Sequence, residues 1–169
     1  MAGHESSRGT EVTDAVNGEH GDRWAGRRRA RAAALQALYQ CEVGDLTPQQ
    51  ALGVLHHAGP PEVDDPGESE HAFVVKLVRG AMDNRDVLDE RIGDAAKNWR
   101  IERMAMIDRL VLRLALQELM AHRESPPRVV ISEAIELARA YSGEDAAKFV
   151  NGVLDGAFRR LKEEGLVTD

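Results

Sequence analysis

Arg23, Arg27, Arg28, Arg29 and Arg31 put five guanidinium groups within nine residues, opposed only by Asp22. The stretch from Asp22 to Arg31 therefore carries +4, in a chain of formal net charge −7. A guanidinium is a planar fork of donors that matches phosphate oxygens, so a cluster of this kind suits a polyanion. The local field decides where a phosphate backbone settles, and overall acidity does not veto nucleic acid. The run leads straight into "RAAALQALYQ", where Leu35 and Leu38 point to a core while Arg29 shares another helical face with Ala33, Gln36 and Gln40. One face can donate to phosphates or base edges and the other anchors the helix. The competing reading pairs these arginines with the acidic segment from Glu62 to Glu90, where nine acids against three bases leave −6.

Other chemistry lacks its minimal parts. There is no phosphate-cradling GxxxxGK[ST], no GxGxxG, no HExxH and no CxxC. His56 and His57 point two ways on a helix, and Asp64 and Asp65 lie in a proline-rich loop without an apolar pocket to separate their pKa values. The single cysteine, Cys41, reads as a buried small hydrophobe and allows no intramolecular disulfide. No catalysis, cofactor or metal is expected. Lys148 falls in the first turns of a helix, against the unfavourable end of its dipole, a weak pointer to an anionic partner.

The elements that must position the arginines are helical throughout. Ala, Leu, Glu and Arg are abundant, aromatic residues make up 4% of the 169, and no alternating strand pattern of useful length occurs. Residues 1–22 have almost nothing to bury and read as a disordered tail. Residues 23–165 read as one domain, with an N-terminal bundle over 23–98 and a C-terminal bundle over 99–165. The first helix runs from Arg23 to about Val43, and Thr47 before Pro48 caps a short second one. After the loop "GPPEVDDPGE", Val74, Leu77, Val78, Ala81, Arg85, Leu88, Ile92 and Trp99 trace one face of a long helix or two abutting ones, weakest at Gly80 and Gly93. "MIDRLVLRLALQELMAH" is apolar on more than one side and should be the centre of the domain. The next helix turns Ile131, Ala134, Ile135, Ala138 and Tyr141 inward and ends at Gly143. The last contains Gly152 and Gly156 on one face, which would let another helix approach closely. No apolar run approaches the length of a membrane span and no leader pattern is present, so a soluble, cytoplasmic protein is expected.

Three blocks, "RRRARAAALQALYQ", "MIDRLVLRLALQEL" and "VVISEAIELARAYSGEDAAKFVNGVLDGA", together resemble the NusB family of bacterial transcription antitermination factors. The resemblance implies an all-α fold of two packed three-helix bundles. It implies binding of boxA, a short single-stranded RNA element of ribosomal RNA leader transcripts, together with NusE, a small-subunit ribosomal protein, within an antitermination complex on RNA polymerase. Carried over position by position, the arginine motif falls on Arg27, Arg28, Arg29 and Arg31. Further RNA-proximal positions fall on Gln36, Tyr39, Asp145, Lys148 and Phe149, and the NusE face on Glu102, Asp108 and Arg109. Some members of that family are monomers and others form homodimers covering the RNA surface, and both states are open to this chain. NusB-like domains also precede ribosomal RNA cytosine methyltransferases, but no residues remain here for a methyltransferase domain. The rival from another class is a protein-only helical adaptor whose arginines grip an acidic protein surface.

Overall fold

The computed structural model describes residues 11–58, 68–121 and 124–169, with side chains described for 24–55, 70–121 and 124–169. Among these residues the chain forms seven α-helices and no strand: α1 (Glu11–Gly44), α2 (Pro48–Ala58), α3 (Glu68–Asp83), α4 (Arg85–Ala95), α5 (Met106–Ala121), α6 (Pro127–Ser142) and α7 (Glu144–Glu163). One 3-10 turn, Ile101–Arg103, links α4 to α5.

The expected all-α architecture is present. α1 packs on α2 and α3, α6 packs on both α5 and α7, and α5 runs between the two groups, touching α1, α3, α4, α6 and α7. α5 is buried continuously from Leu110 to Leu119, as a helix apolar on several sides must be. Leu35 and Leu38 of α1, Leu77 of α3, Leu88 and Ile92 of α4, Leu112 and Leu116 of α5, and Leu154 and Leu161 of α7 belong to one continuous core. α4, grouped with the N-terminal bundle in the sequence reading, packs mainly on α5 and α7.

Local signals explain most boundaries. Thr47 and Gln50 form a reciprocal capping box: the Gln50 N–H donates to Thr47 Oγ1 at 3.2 Å and the Thr47 N–H donates to Gln50 Oε1 at 2.9 Å. Gly143 adopts φ 98°, the region that favours glycine, and its N–H donates to the Arg139 carbonyl, closing α6 where expected. Pro127 occupies the first position of α6, where a missing N–H costs nothing.

Several expectations are corrected. Helix α1 begins at Glu11 instead of Arg23, because extending a nucleated helix adds a hydrogen bond for each residue fixed; the first ten residues of the expected tail lie outside the described residues, as does the loop over 59–67. The α3–α4 break falls at Asn84, not at Gly80 or Gly93. Asn84 leaves helical geometry (φ −99°, ψ 15°) while its N–H still donates to the Gly80 carbonyl and its own carbonyl accepts from the Leu88 N–H, and its Nδ2 donates to Gln117 Oε1 at 3.0 Å. Only one of the paired glycines of α7 serves close approach: a Cβ on Gly156 would touch the Ala95 carbonyl, while Gly152 faces open space. Tyr141 and Trp99, expected inward, are 46% and 57% exposed.

Buried arginine ties the two groups of helices. Arg113 on α5 donates twice to Asp89 of α4, at 2.6 and 2.9 Å, and once to Glu42 of α1 at 2.6 Å. Burial works against its charge, but the hydrogen bonds from these two carboxylates raise its pKa nonetheless.

Candidate nucleic-acid interface

The arginine run winds one turn of α1, and the turn sorts it. Arg27 and Arg31, four residues apart, continue the core-facing stripe of Ala34, Leu35 and Leu38. Arg31 has a side chain 5% exposed, and its Nε and Nη2 donate to both oxygens of Glu118 on α5 at 2.8 and 2.7 Å. Nη2 also reaches Ser125 Oγ at 3.1 Å. The Arg27 guanidinium lies over the Phe73 ring of α3, 3.9 Å from its centroid, and pairs with Glu124. These two arginines lock α1 onto α3, α5 and the start of the α6 segment. Arg31, expected at the RNA surface, thus points inward onto a buried carboxylate, and its Nη1 has no hydrogen-bond partner among the described residues.

Arg28 and Arg29 face outward, with side chains 66% and 62% exposed. Arg28 makes a two-pronged contact with Glu133 of α6 at 2.9 and 2.7 Å. This hydrogen bonding raises the Arg28 pKa and holds the Glu133 carboxyl below its ordinary range. Arg29 donates to Glu70 of α3 at 3.2 Å. Glu70 lies within the acidic segment from Glu62 to Glu90, so part of the competing self-pairing reading is realised.

Two turns along α1, Gln36 is exposed and its Nε2 donates to the Tyr141 hydroxyl of α6 at 3.4 Å. Tyr39, one step further, presents an open ring. The α1–α6 seam thus runs from a charged contact at Arg28 and Glu133 to an aromatic one at Gln36 and Tyr141, and α7 begins three residues beyond Tyr141. Asp145 and Lys148 are exposed in the first turns of α7, and Phe149 is half-buried, its ring meeting Trp99 edge to face with centroids 5.8 Å apart. Of the positions assigned to the second surface, Glu102 is exposed on the 3-10 turn, and Arg109 is half-buried with Nη1 donating to the Ile101 carbonyl at 3.3 Å. Asp108 is buried in the first turn of α5, where the helix dipole favours its charge, and its Oδ1 finds no hydrogen-bond partner among the described residues.

A family model described as the NusB family matches residues 28–159. The chain belongs to the NusB family. The transcription antitermination protein NusB of Symbiobacterium thermophilum is 40% identical over 139 residues, covering 80% of this chain and 91% of its own. The structure of T. maritima NusB superposes with TM-score 0.70 at 35% identity, covering 79% of this chain and 90% of its own. A chain from the crystal structure of the antitermination factors NusB and NusE in complex with dsRNA matches with TM-score 0.70 at 25% identity, covering 82% and 98%.

In this NusB-family chain the sequence reasoning missed two residues that shape the candidate surface. Glu133 was visible only as one acid of an amphipathic helix, and nothing local reveals that it reaches across to Arg28. Tyr141 sits at an apolar spacing on α6 but in its last turn, where it is exposed. The signal that separates Arg27 and Arg31 from Arg28 and Arg29 was available: the first pair extends the apolar i, i+3, i+4 stripe and the second does not. Among the described residues no helix is long and apolar enough to cross a membrane.

Proposed function

We propose that this chain is a transcription antitermination factor that holds boxA-like RNA of ribosomal RNA leader transcripts together with NusE, and so promotes ribosomal RNA transcription by RNA polymerase in the cytoplasm. The observation that carries this reading is the pair of outward guanidinium groups, Arg28 and Arg29, on a helix locked in place by its inward arginines. Rigid mounting matters because phosphate recognition by a fork of donors depends on orientation. Gln36, Tyr39, Asp145, Lys148 and Phe149 extend the surface with polar and aromatic groups suited to unstacked bases. The NusB and NusE of the solved complex are held with double-stranded RNA; the preference for a single strand proposed here rests on the exposed rings, which need bases free of a duplex.

Glu102, Asp108 and Arg109 form the NusE side, with the unfilled acceptor of Asp108 available to a donor from the partner. Neither surface needs catalysis. The mechanism is assembly, in which NusE aligned on one surface raises the effective concentration of RNA at the other.

The test is binding of labelled boxA-like RNA as a function of salt, with and without NusE. Arg28, Arg29 and Lys148 neutralising roughly three phosphates give a log-log slope of about −2, at about 0.7 per phosphate for a single strand. The R28E/R29E variant, folded by circular dichroism, should lose this binding. A wild-type protein that binds no RNA in either condition, or a variant that loses only protein contacts, would favour the adaptor reading.

A further inference from the structure

The motif arginines are each occupied by a carboxylate, whereas another corner of the molecule keeps its cations free beside an open ring. Trp99 leaves α4 in a turn fixed by its N–H bonding to the Ala96 carbonyl at 2.9 Å. Its edge-to-face contact with Phe149 holds the indole at the start of α7, and Phe149 in turn packs against the core. The indole remains 57% exposed, joint highest among the large apolar side chains that face solvent. Lys97 and Arg100 flank it, both exposed, and neither makes an ion pair among the described residues, nor does Lys148 on the facing helix. Residues 97–103 carry three bases against Glu102 alone.

We infer that Trp99 is a base-stacking platform for single-stranded RNA, with Lys97 and Arg100 holding the phosphates on either side of the stacked nucleotide. The assignment deepens the RNA reading above and rests on it. An aromatic plane with unpaired cations around it is the pairing of groups that single-stranded nucleic acid requires. Position supports the same occupant. The α1–α6 seam passes from Arg28 to Tyr141, α7 starts beside Tyr141, and Phe149 on α7 meets Trp99, so a strand leaving the arginines along this seam reaches the indole. The 3-10 turn bearing Glu102 follows directly, which puts Trp99 where the RNA surface meets the NusE side.

The experiment uses W24F protein, so that Trp99 is the one tryptophan, titrated with a boxA-like single-stranded RNA in the presence of NusE. RNA should quench the indole emission. W99L, which keeps bulk against Phe149, should weaken binding roughly tenfold, as expected for one lost base stack, while W99F should keep most of the affinity. With Lys97 and Arg100 added to the three cations counted above, the parent slope should steepen to about −3.5; W99L should match it, and K97Q/R100Q should flatten it by about 1.4, the share of two phosphates. Binding of W99L within twofold of the parent, or equal loss in W99L and W99F, would overturn the platform while leaving the RNA reading intact. Loss of NusE binding without loss of RNA binding would assign Trp99 to the protein partner and also overturn it. Failure of both the wild-type protein and W24F to bind RNA would sink the RNA reading itself, and the platform with it.

Discussion

Glu118→Gln isolates what the inward arginines do. Glu118 and Arg31 are both almost fully buried, joined by two parallel hydrogen bonds, and Arg31 keeps one further bond, to Ser125. The substitution preserves shape and removes one charge, leaving a buried guanidinium facing an amide. Breaking one partner of a buried pair costs about 3–5 kcal/mol, and the lower end applies because the Glu133 carboxylate also lies near enough to interact with Arg31. For a chain of this size about 3 kcal/mol corresponds to a fall in Tm of roughly 6–12 °C. Differential scanning calorimetry reads it directly. The paired control is Arg31→Met with Glu118→Leu, which removes both charges and should recover to within about 1 kcal/mol of the parent, since apolar replacements of buried pairs are often neutral. The same double variant decides the role of Arg31 toward RNA: its salt slope should equal that of the parent. A loss below about 1 kcal/mol in Glu118→Gln would mean the pair is hydrated in solution, and a slope flattened by about 0.7 in the double variant would mean that Arg31 does reach a phosphate. Either result refutes the division of the motif into inward and outward halves.

Three further outcomes follow from the same geometry. Glu133→Gln frees Arg28 from an intramolecular competitor and should tighten boxA-like RNA by a small factor, below roughly fivefold as exposed pairs are weak, measured by filter binding at fixed salt. The Glu133 carboxyl is held below its ordinary value of 4.5 chiefly by the hydrogen bond from Arg28, so the contribution of this pair to stability is fully present above that value and fades as pH falls through the lowered one; the Arg28 Nε–H resonance should keep its protection at pH 5 and lose it in stronger acid. Burial, with Glu42 nearby, pushes the Cys41 thiol up from its ordinary range, so alkylation at neutral pH should be slow in the native protein and fast in denaturant.

The sequence discloses period and caps well and contact partners poorly. Helix α5, the capping box at Thr47 and Gln50, and Gly143 at the α6–α7 junction were legible because each depends on residues within a few positions of one another. The break at Asn84 was not: no glycine or proline marks it, and the side chain it meets, Gln117, lies thirty-three residues away. Exposure of Trp99 and Tyr141 was misjudged for a related reason: both keep an apolar spacing, but Trp99 lies four residues beyond the end of α4 and Tyr141 in the last turn of α6. At the candidate site the residue types were readable and their pairing was not. The apolar stripe separates Arg27 and Arg31 from Arg28 and Arg29, but their partners Phe73, Glu118 and Glu133 appear only once α1 is packed against α3, α5 and α6.

That winding also reconciles a basic cluster with an acidic protein. Each motif arginine meets a carboxylate from a different part of the fold: Glu70 from α3, Glu118 from α5, Glu124 from the α5–α6 segment and Glu133 from α6. The acids that make the net charge negative are thus among the groups that fix the positive helix in place. At Arg31 this is structural, because the buried Glu118 carboxylate cannot be exchanged without uncovering a charge, and Arg27 is held as much by the Phe73 ring as by its half-exposed partner Glu124. For the outward pair it is an exchange reaction: a phosphate arriving at Arg28 must displace Glu133, and the net gain is the difference between two similar ion pairs in water. Electrostatics at the arginines alone therefore yields modest affinity and little discrimination. Stacking at open rings and alignment by NusE must supply the rest, so the affinity gained from NusE should persist at salt concentrations that abolish RNA binding by the lone protein, whereas a purely electrostatic grip would lose both together.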